Sequence, residues 1–236
     1  MSSLILRQKS IVPALDTPSL DKFRQILSGT ADVPQVGGYK IGFSLGLRHG
    51  LPKIAEMARE LAPDKPLIYD HQKAGGDTPH TGEDFAAIMA EAGVKAAIIF
   101  PHSGPETERA WIGALQARKI TPIVGAIMTH NGYLTTEGGW IDADRIWDSL
   151  GIAAEMGVQD FVGPGTKIPV LTRMRSMLIA KGVANPAIYS PGLIAQGGKL
   201  TDAAHAAGDT FHGIVGRDIL NAANPAEEAK SLGKEL

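Results

Sequence analysis

An alternation constrains this chain more than any other feature. Eight short, β-rich apolar runs, at residues 11–16, 38–43, 67–70, 95–100, 122–128, 160–163, 187–190 and 211–215, are separated by stretches of helical periodicity. Several runs, such as Ala96-Ala97-Ile98-Ile99-Phe100 and Ile123-Val124-Gly125-Ala126-Ile127-Met128, are continuously apolar rather than alternating. That is the pattern of parallel strands covered on both faces. Between them, Leu47, Leu51, Ile54, Ala58 and Leu61 trace one helix face, with Pro52 tolerable in a first turn. Thr81-Gly82-Glu83-Asp84 resembles a capping box ahead of Phe85, Ile88, Met89 and Ala92. Ile146, Leu150 and Ala154 form another stripe, and Val170, Met174 and Met177 a further one. Strand and helix alternate to the end without a linker, and right-handed crossovers let eight such units close on themselves. The expected fold is an α/β single-domain (β/α)8 TIM barrel over residues 1–236, with an open doubly wound sheet as the competitor.

Composition narrows the function classes. With 44% hydrophobic and 20% charged residues the chain can bury a core. A net charge of −2 without a block of like charge makes nucleic acid an unsuitable partner. The absence of cysteine excludes disulfides, thiolate metal sites and cysteine nucleophiles. Twenty-eight glycines and 15 prolines are scattered between apolar runs rather than gathered in low-complexity tracts, as tight turns require. Met1-Ser2-Ser3-Leu4-Ile5-Leu6-Arg7 offers too short an apolar stretch for a signal peptide, and no run nears the roughly 18 residues of a membrane span. The expectation is a cytoplasmic protein with no membrane partner. Trp111, Trp140 and Trp147 read as packing anchors, and Met174 and Met177 as helix core.

In a barrel, chemistry gathers past the C-terminal ends of the strands, with phosphate often held after strands seven and eight. Strand one ends in Pro13-Ala14-Leu15-Asp16, strand two carries Tyr39-Lys40-Ile41-Gly42, and strand three runs into Tyr69-Asp70-His71-Gln72-Lys73-Ala74-Gly75-Gly76-Asp77-Thr78-Pro79. Lys40, Asp70, Lys73 and Asp77 could form an alternating array in which each carboxylate favours a protonated lysine and each lysine an ionised carboxylate. Lys73 would then be a held proton donor. At the far end, Ser190-Pro191-Gly192, Gln196-Gly197-Gly198 and Gly216-Arg217-Asp218-Ile219, the last leading into the final helix, read as a phosphate cradle. Glycines admit backbone N–H groups to the anion, a helix N-terminus adds its positive end, and Arg217 offers a fork matched to phosphate oxygens.

In their joint order these segments, with Met128-Thr129-His130 and Pro164-Gly165-Thr166, resemble the orotidine 5′-phosphate decarboxylase family of the ribulose-phosphate-binding barrel superfamily, over the whole chain. The resemblance implies a barrel free of cofactor and metal, usually a homodimer with its active site shared across the interface, converting orotidine 5′-phosphate to UMP and carbon dioxide in pyrimidine biosynthesis. It implies that Asp16 and Lys40 hold the ribose hydroxyls, that Asp70 faces the substrate carboxylate and that Lys73 protonates C6. Asp77 would reach from the partner subunit to hold Lys73, and Thr78 would add a contact across the dimer. Thr129 matches a position that reads the pyrimidine edge, Gln196, Gly216 and Arg217 match the phosphate grip, and Pro191 is a further substrate-binding position. One departure stands out. The family pattern Asp-x-Lys-x-x-Asp appears here as Asp70-x-x-Lys73-x-x-x-Asp77, one residue longer in each gap. The first acidic position is read as Asp70, with His71 the alternative occupant.

Three other readings compete. Gly42-Phe43-Ser44-Leu45-Gly46 fits G-x-S-x-G between a strand and a helix, the nucleophile elbow of a serine hydrolase. His71, His80, His102 and His130 raise a metal-dependent phosphosugar decarboxylase or aldolase of the same superfamily, although they make no metal-ligand spacing and a lysine at position 40 would repel a cation. A barrel that only binds a phosphorylated ligand is the third. Gly198-Lys199 and Gly163-Pro164-Gly165 lack the residues that ATP or dinucleotide loops need.

Overall fold

The computed structural model describes residues 3–236, with the side chains of Gln72 and Lys73 outside the described set. Every apolar run becomes a strand: β1 (Lys9–Pro13), β2 (Tyr39–Gly42), β3 (Leu67–Ala74), β4 (Ala96–Ile99), β5 (Thr121–Gly125), β6 (Asp160–Val162), β7 (Ala187–Ser190) and β8 (Phe211–Val215). The connections carry α1 (Leu20–Thr30), α2 (Phe43–His49), α3 (Leu51–Leu61), α4 (Thr81–Ala92), α5 (Pro105–Ala117), α6 (Ile146–Glu155), α7 (Ile168–Ala180) and α8 (Leu200–Ala207). After β8 come α9 (Arg217–Leu220) and α10 (Pro225–Gly233). All ladders are parallel, in the order β1-β8-β7-β6-β5-β4-β3-β2. The remaining seam, between β1 and β2, is closed by bridges Ala14↔Lys40 and Ile11↔Val36 and by the Leu15 N–H donating to the Lys40 carbonyl at 2.8 Å. The chain is a (β/α)8 barrel, and the open-sheet alternative falls.

Period-two alternation divides the strand side chains between two cores. Ile11, Phe161, Ile188 and Phe211 join the large cluster packed under the helices, while Val12, Val162, Tyr189 and Ile214 join a second cluster inside the barrel with Ile68, Ile98, Phe100 and Ile123. Gly125 is required here, because a Cβ would stand 2.2 Å from the Phe100 ring that fills the interior. Lower in the barrel, polar groups on four strands meet. Ser10 Oγ lies 2.8 Å from His212 Nδ1, the Tyr189 hydroxyl donates to Asp160 at 3.0 Å, and the Tyr189 and His212 rings are 4.7 Å apart. Burial pushes His212 down to about 4 and Asp160 up to about 6.

Several expectations need correction. The stripe from Leu47 to Leu61 is two helices, not one: Pro52 has no N–H for the preceding turn, and the chain breaks at Gly50 with φ 84°, leaving Leu47 72% exposed. Thr81 does not cap α4. It is the first helical residue, and its hydroxyl donates to the Thr78 carbonyl. Ile88 faces solvent rather than the core. Gly216 leads into the four-residue α9, not the final helix, which is instead capped by the Asn224 side chain. Trp111 and Trp147 are buried as anchors, whereas Trp140 is 97% exposed and anchors nothing.

Candidate active site

The C-terminal mouth of the barrel holds a cavity of about 540 Å³. Asp16, which follows the Ala14 bridge, Lys40 on β2 and Asp70 on β3 line one part of it. Lys40 Nζ donates to both Asp16 oxygens at 3.0 Å and to Asp70 Oδ2 at 3.3 Å. Burial alone would pull this ammonium down, but the charges of Asp70 and Asp16 outweigh it and hold Lys40 above its ordinary range. Gly42 makes the approach possible, since a Cβ there would lie 2.6 Å from Asp16 Oδ1.

The extra residue in the first gap, between Asp70 and Lys73, coincides with an irregularity in the sheet, whereas the second gap runs past the end of β3. Asp70 pairs with Ile98, yet the next paired residue, Ala74, opposes Ile99, so residues 71–73 are accommodated within one step of β4. Asp70 stays on the interior face. His71 instead meets the hydroxyl of Tyr69 at 2.5 Å, and Tyr69 packs in the outer core. The structure therefore brings Asp70, and not His71, to the cavity. The expected proton donor, Lys73, lies outside the described side chains. Asp77 and Thr78 are exposed and do not line the cavity. Asp77 caps the Thr78 N–H at 2.6 Å, and the Thr78 carbonyl accepts from Trp111.

Across the cavity stand Thr129, Pro191, Gln196, Gly216 and Arg217. Gly192, with φ 87°, lets the loop after β7 turn against Thr129, Thr166 and Gln196, whose atoms lie 2.8–3.3 Å from where its Cβ would be. The loop closes on itself through Ile194 N–H to the Gly198 carbonyl at 2.7 Å. Arg217 donates one of its five N–H groups to the Ala195 carbonyl at 3.2 Å, tying the end of β8 to that loop. The lining also takes in Met128, His130 and Asp218, which stand in the segments of the family resemblance without a substrate role of their own, and Phe100, which reads only as part of a strand. Ser44 sits in the strand-to-helix turn after β2 but is absent from the lining, and no described histidine bonds to it, so the hydrolase reading loses its triad. Among the described residues no three histidines or carboxylates are arranged to hold a metal ion.

Fold and site together define a (β/α)8 barrel whose mouth cavity carries an ammonium–carboxylate cluster and a glycine-rich loop tied to an arginine. Comparison with known proteins narrows this further. Residues 9–232 match the family model of the orotidine 5′-phosphate decarboxylase / HUMPS family. The chain belongs to that family. It is 30% identical over 231 residues to orotidine 5′-phosphate decarboxylase of Methanosarcina barkeri, covering 98% of this chain and 96% of the relative. It is 27% identical over 235 residues to that of Thermoplasma acidophilum, covering 98% and 97%. Among solved structures, orotidine 5′-monophosphate decarboxylase of Methanocaldococcus jannaschii complexed with the inhibitor BMP superposes with a TM-score of 0.82 at 26% identity, over 98% of this chain and 99% of that one.

Proposed function

We propose that the protein is an orotidine 5′-phosphate decarboxylase, acting as a homodimer in the cytoplasm and supplying UMP to pyrimidine biosynthesis. One observation carries the reading. A buried lysine held by two carboxylates and a glycine-flanked arginine loop line the same 540 Å³ cavity, a volume suited to one nucleotide. Family membership and relatives named for this activity over nearly the full chain support it.

In the proposed reaction the bond between C6 of the pyrimidine and its carboxylate carbon breaks, carbon dioxide leaves, and the electron pair stays on C6. A proton from the Lys73 ammonium forms the new C6–H bond, and Lys73 is reprotonated from solvent. No oxidant, metal or organic cofactor enters this balance. The carbanion has little resonance relief, so an oriented ammonium in a water-poor site acts more strongly than it would in water. Asp70 faces the substrate carboxylate and Asp77 of a second copy holds Lys73. Asp16 and Lys40 bind the ribose hydroxyls, and Thr78 adds a contact across the dimer. Thr129 reads the pyrimidine edge. Pro191 is a further substrate contact, and Gln196, Gly216 and Arg217 grip the phosphate, remote from the reacting carbon, so that binding energy there can be used to assemble the charged groups. Incubation of the purified protein with orotidine 5′-phosphate, followed by chromatography, should show stoichiometric UMP. Unchanged substrate would refute the assignment.

A further inference from the structure

The connection from β5 to α6, residues 126–145, is the longest between a strand and the next full helix, and it contains only a short 3₁₀ turn, Thr135–Glu137, and one bridge, Leu134↔Ile141. A loop of this length has little reason of its own to hold one shape. Yet it supplies Met128, Thr129 and His130 to the cavity. Its near end is pinned from inside. The Tyr133 hydroxyl has a single proton, which it donates to the Ala126 carbonyl at 2.7 Å, so the His102 Nε2 at 2.6 Å must be a protonated ring nitrogen donating to the phenol oxygen. Its far side is held from the next βα unit. Thr166 donates to the Thr129 carbonyl at 3.2 Å, and Lys167 Nζ reaches both Glu137 Oε1 at 2.5 Å and the His130 carbonyl at 3.4 Å. The second Glu137 oxygen accepts the Tyr133 N–H at 3.3 Å. Lys167 and Glu137 side chains are only 15% and 24% exposed, unlike the other ion pairs on the outer helices. The hydrogen bond from Lys167 holds the Glu137 carboxyl below its ordinary range.

We infer that Lys167 is a positioning residue: through Glu137 and the His130 carbonyl it latches the β5–α6 loop so that Thr129 and His130 present a fixed edge to the base end of the bound nucleotide. The latch rests on the proposed function only for the identity of that base. Lys167 itself is absent from the cavity lining, so it acts through the loop and not on the ligand. Three βα units thereby share the control of one edge, β4 through His102, β5 through Tyr133 and Glu137, and the start of α7 through Lys167.

The test compares wild type with Lys167→Met, which keeps the aliphatic stem, and with the exchanged pair Lys167→Glu/Glu137→Lys. Hydrogen–deuterium exchange should accelerate about tenfold or more at residues 129–137 in Lys167→Met, remain unchanged in the loop after β7, and return towards wild type in the exchanged pair. Calorimetric titration should show UMP binding weakened about tenfold in Lys167→Met while ribose 5-phosphate, which lacks the base, binds as before. Unchanged exchange at residues 129–137, or equal loss of UMP and ribose 5-phosphate, overturns the latch. A wild-type protein that leaves orotidine 5′-phosphate unconverted refutes the proposed reaction instead, and the exchange measurement then decides the latch without any ligand.

Discussion

The polar groups low in the barrel make a prediction about acid stability that depends on two buried residues acting in opposite directions. His212 is fully buried, its Nε2 has no hydrogen-bond partner among the described residues, and its pKa falls from 6.5 to about 4. A group depressed in this way contributes stability that is present above pH 6.5 and is lost as pH falls through 4, because the unfolded chain binds the proton first. Asp160, raised from 3.8 to about 6, does the reverse: its contribution is present below pH 3.8 and is lost as pH rises through 6. Going from pH 7 to pH 5, His212 costs the fold about 2 kcal/mol and Asp160 returns about 1 kcal/mol. The wild type should therefore change by only about 1 kcal/mol from this pair. His212→Gln abolishes the greater of these two effects, so relative to wild type it should be about 2 kcal/mol better placed at pH 5 than at pH 7, whatever its absolute stability. Asp160→Asn should move the other way by about 1 kcal/mol. Urea unfolding at fixed protein concentration, followed by the fluorescence of buried Trp111 and Trp147, measures both. If His212→Gln differs from wild type by the same amount at the two pH values, or if both variants shift with the same sign, proton linkage at these two side chains is not what sets the acid stability.

At the phosphate end, Arg217→Ala should lower kcat/KM for orotidine 5′-phosphate by about 1.5–3 kcal/mol or more, the range of a charged hydrogen bond. Steady-state kinetics that match wild type would remove Arg217 from the grip. Asp70→Ala should abolish most activity while His71→Ala keeps it, since only Asp70 lines the cavity. Greater loss at His71 would reverse the roles of the two side chains.

The barrel was legible in the chain because its causes are local and periodic. Eight apolar runs too short for anything but strands, separated by amphipathic helices, leave few ways to bury both faces of a sheet. Asp16, Lys40, Asp70, Gln196 and Arg217 were legible as lining for a related reason: each lies in a strand or in the segment after one, and a closed parallel sheet gathers such segments at one mouth, whereas Thr129 came only with the family resemblance. The three-dimensional packing decided what no local pattern encodes. It put residues 71–73 within one step of β4, keeping Asp70 inward, and it broke the stripe through Leu47 at Gly50. It also brought Lys167 to Glu137, 30 positions away, and set His212 in the same buried layer as Asp160. Such pairings follow from how strands register and how loops lie across neighbouring units, and those are settled by the packing of the whole barrel rather than by any residue's own preference.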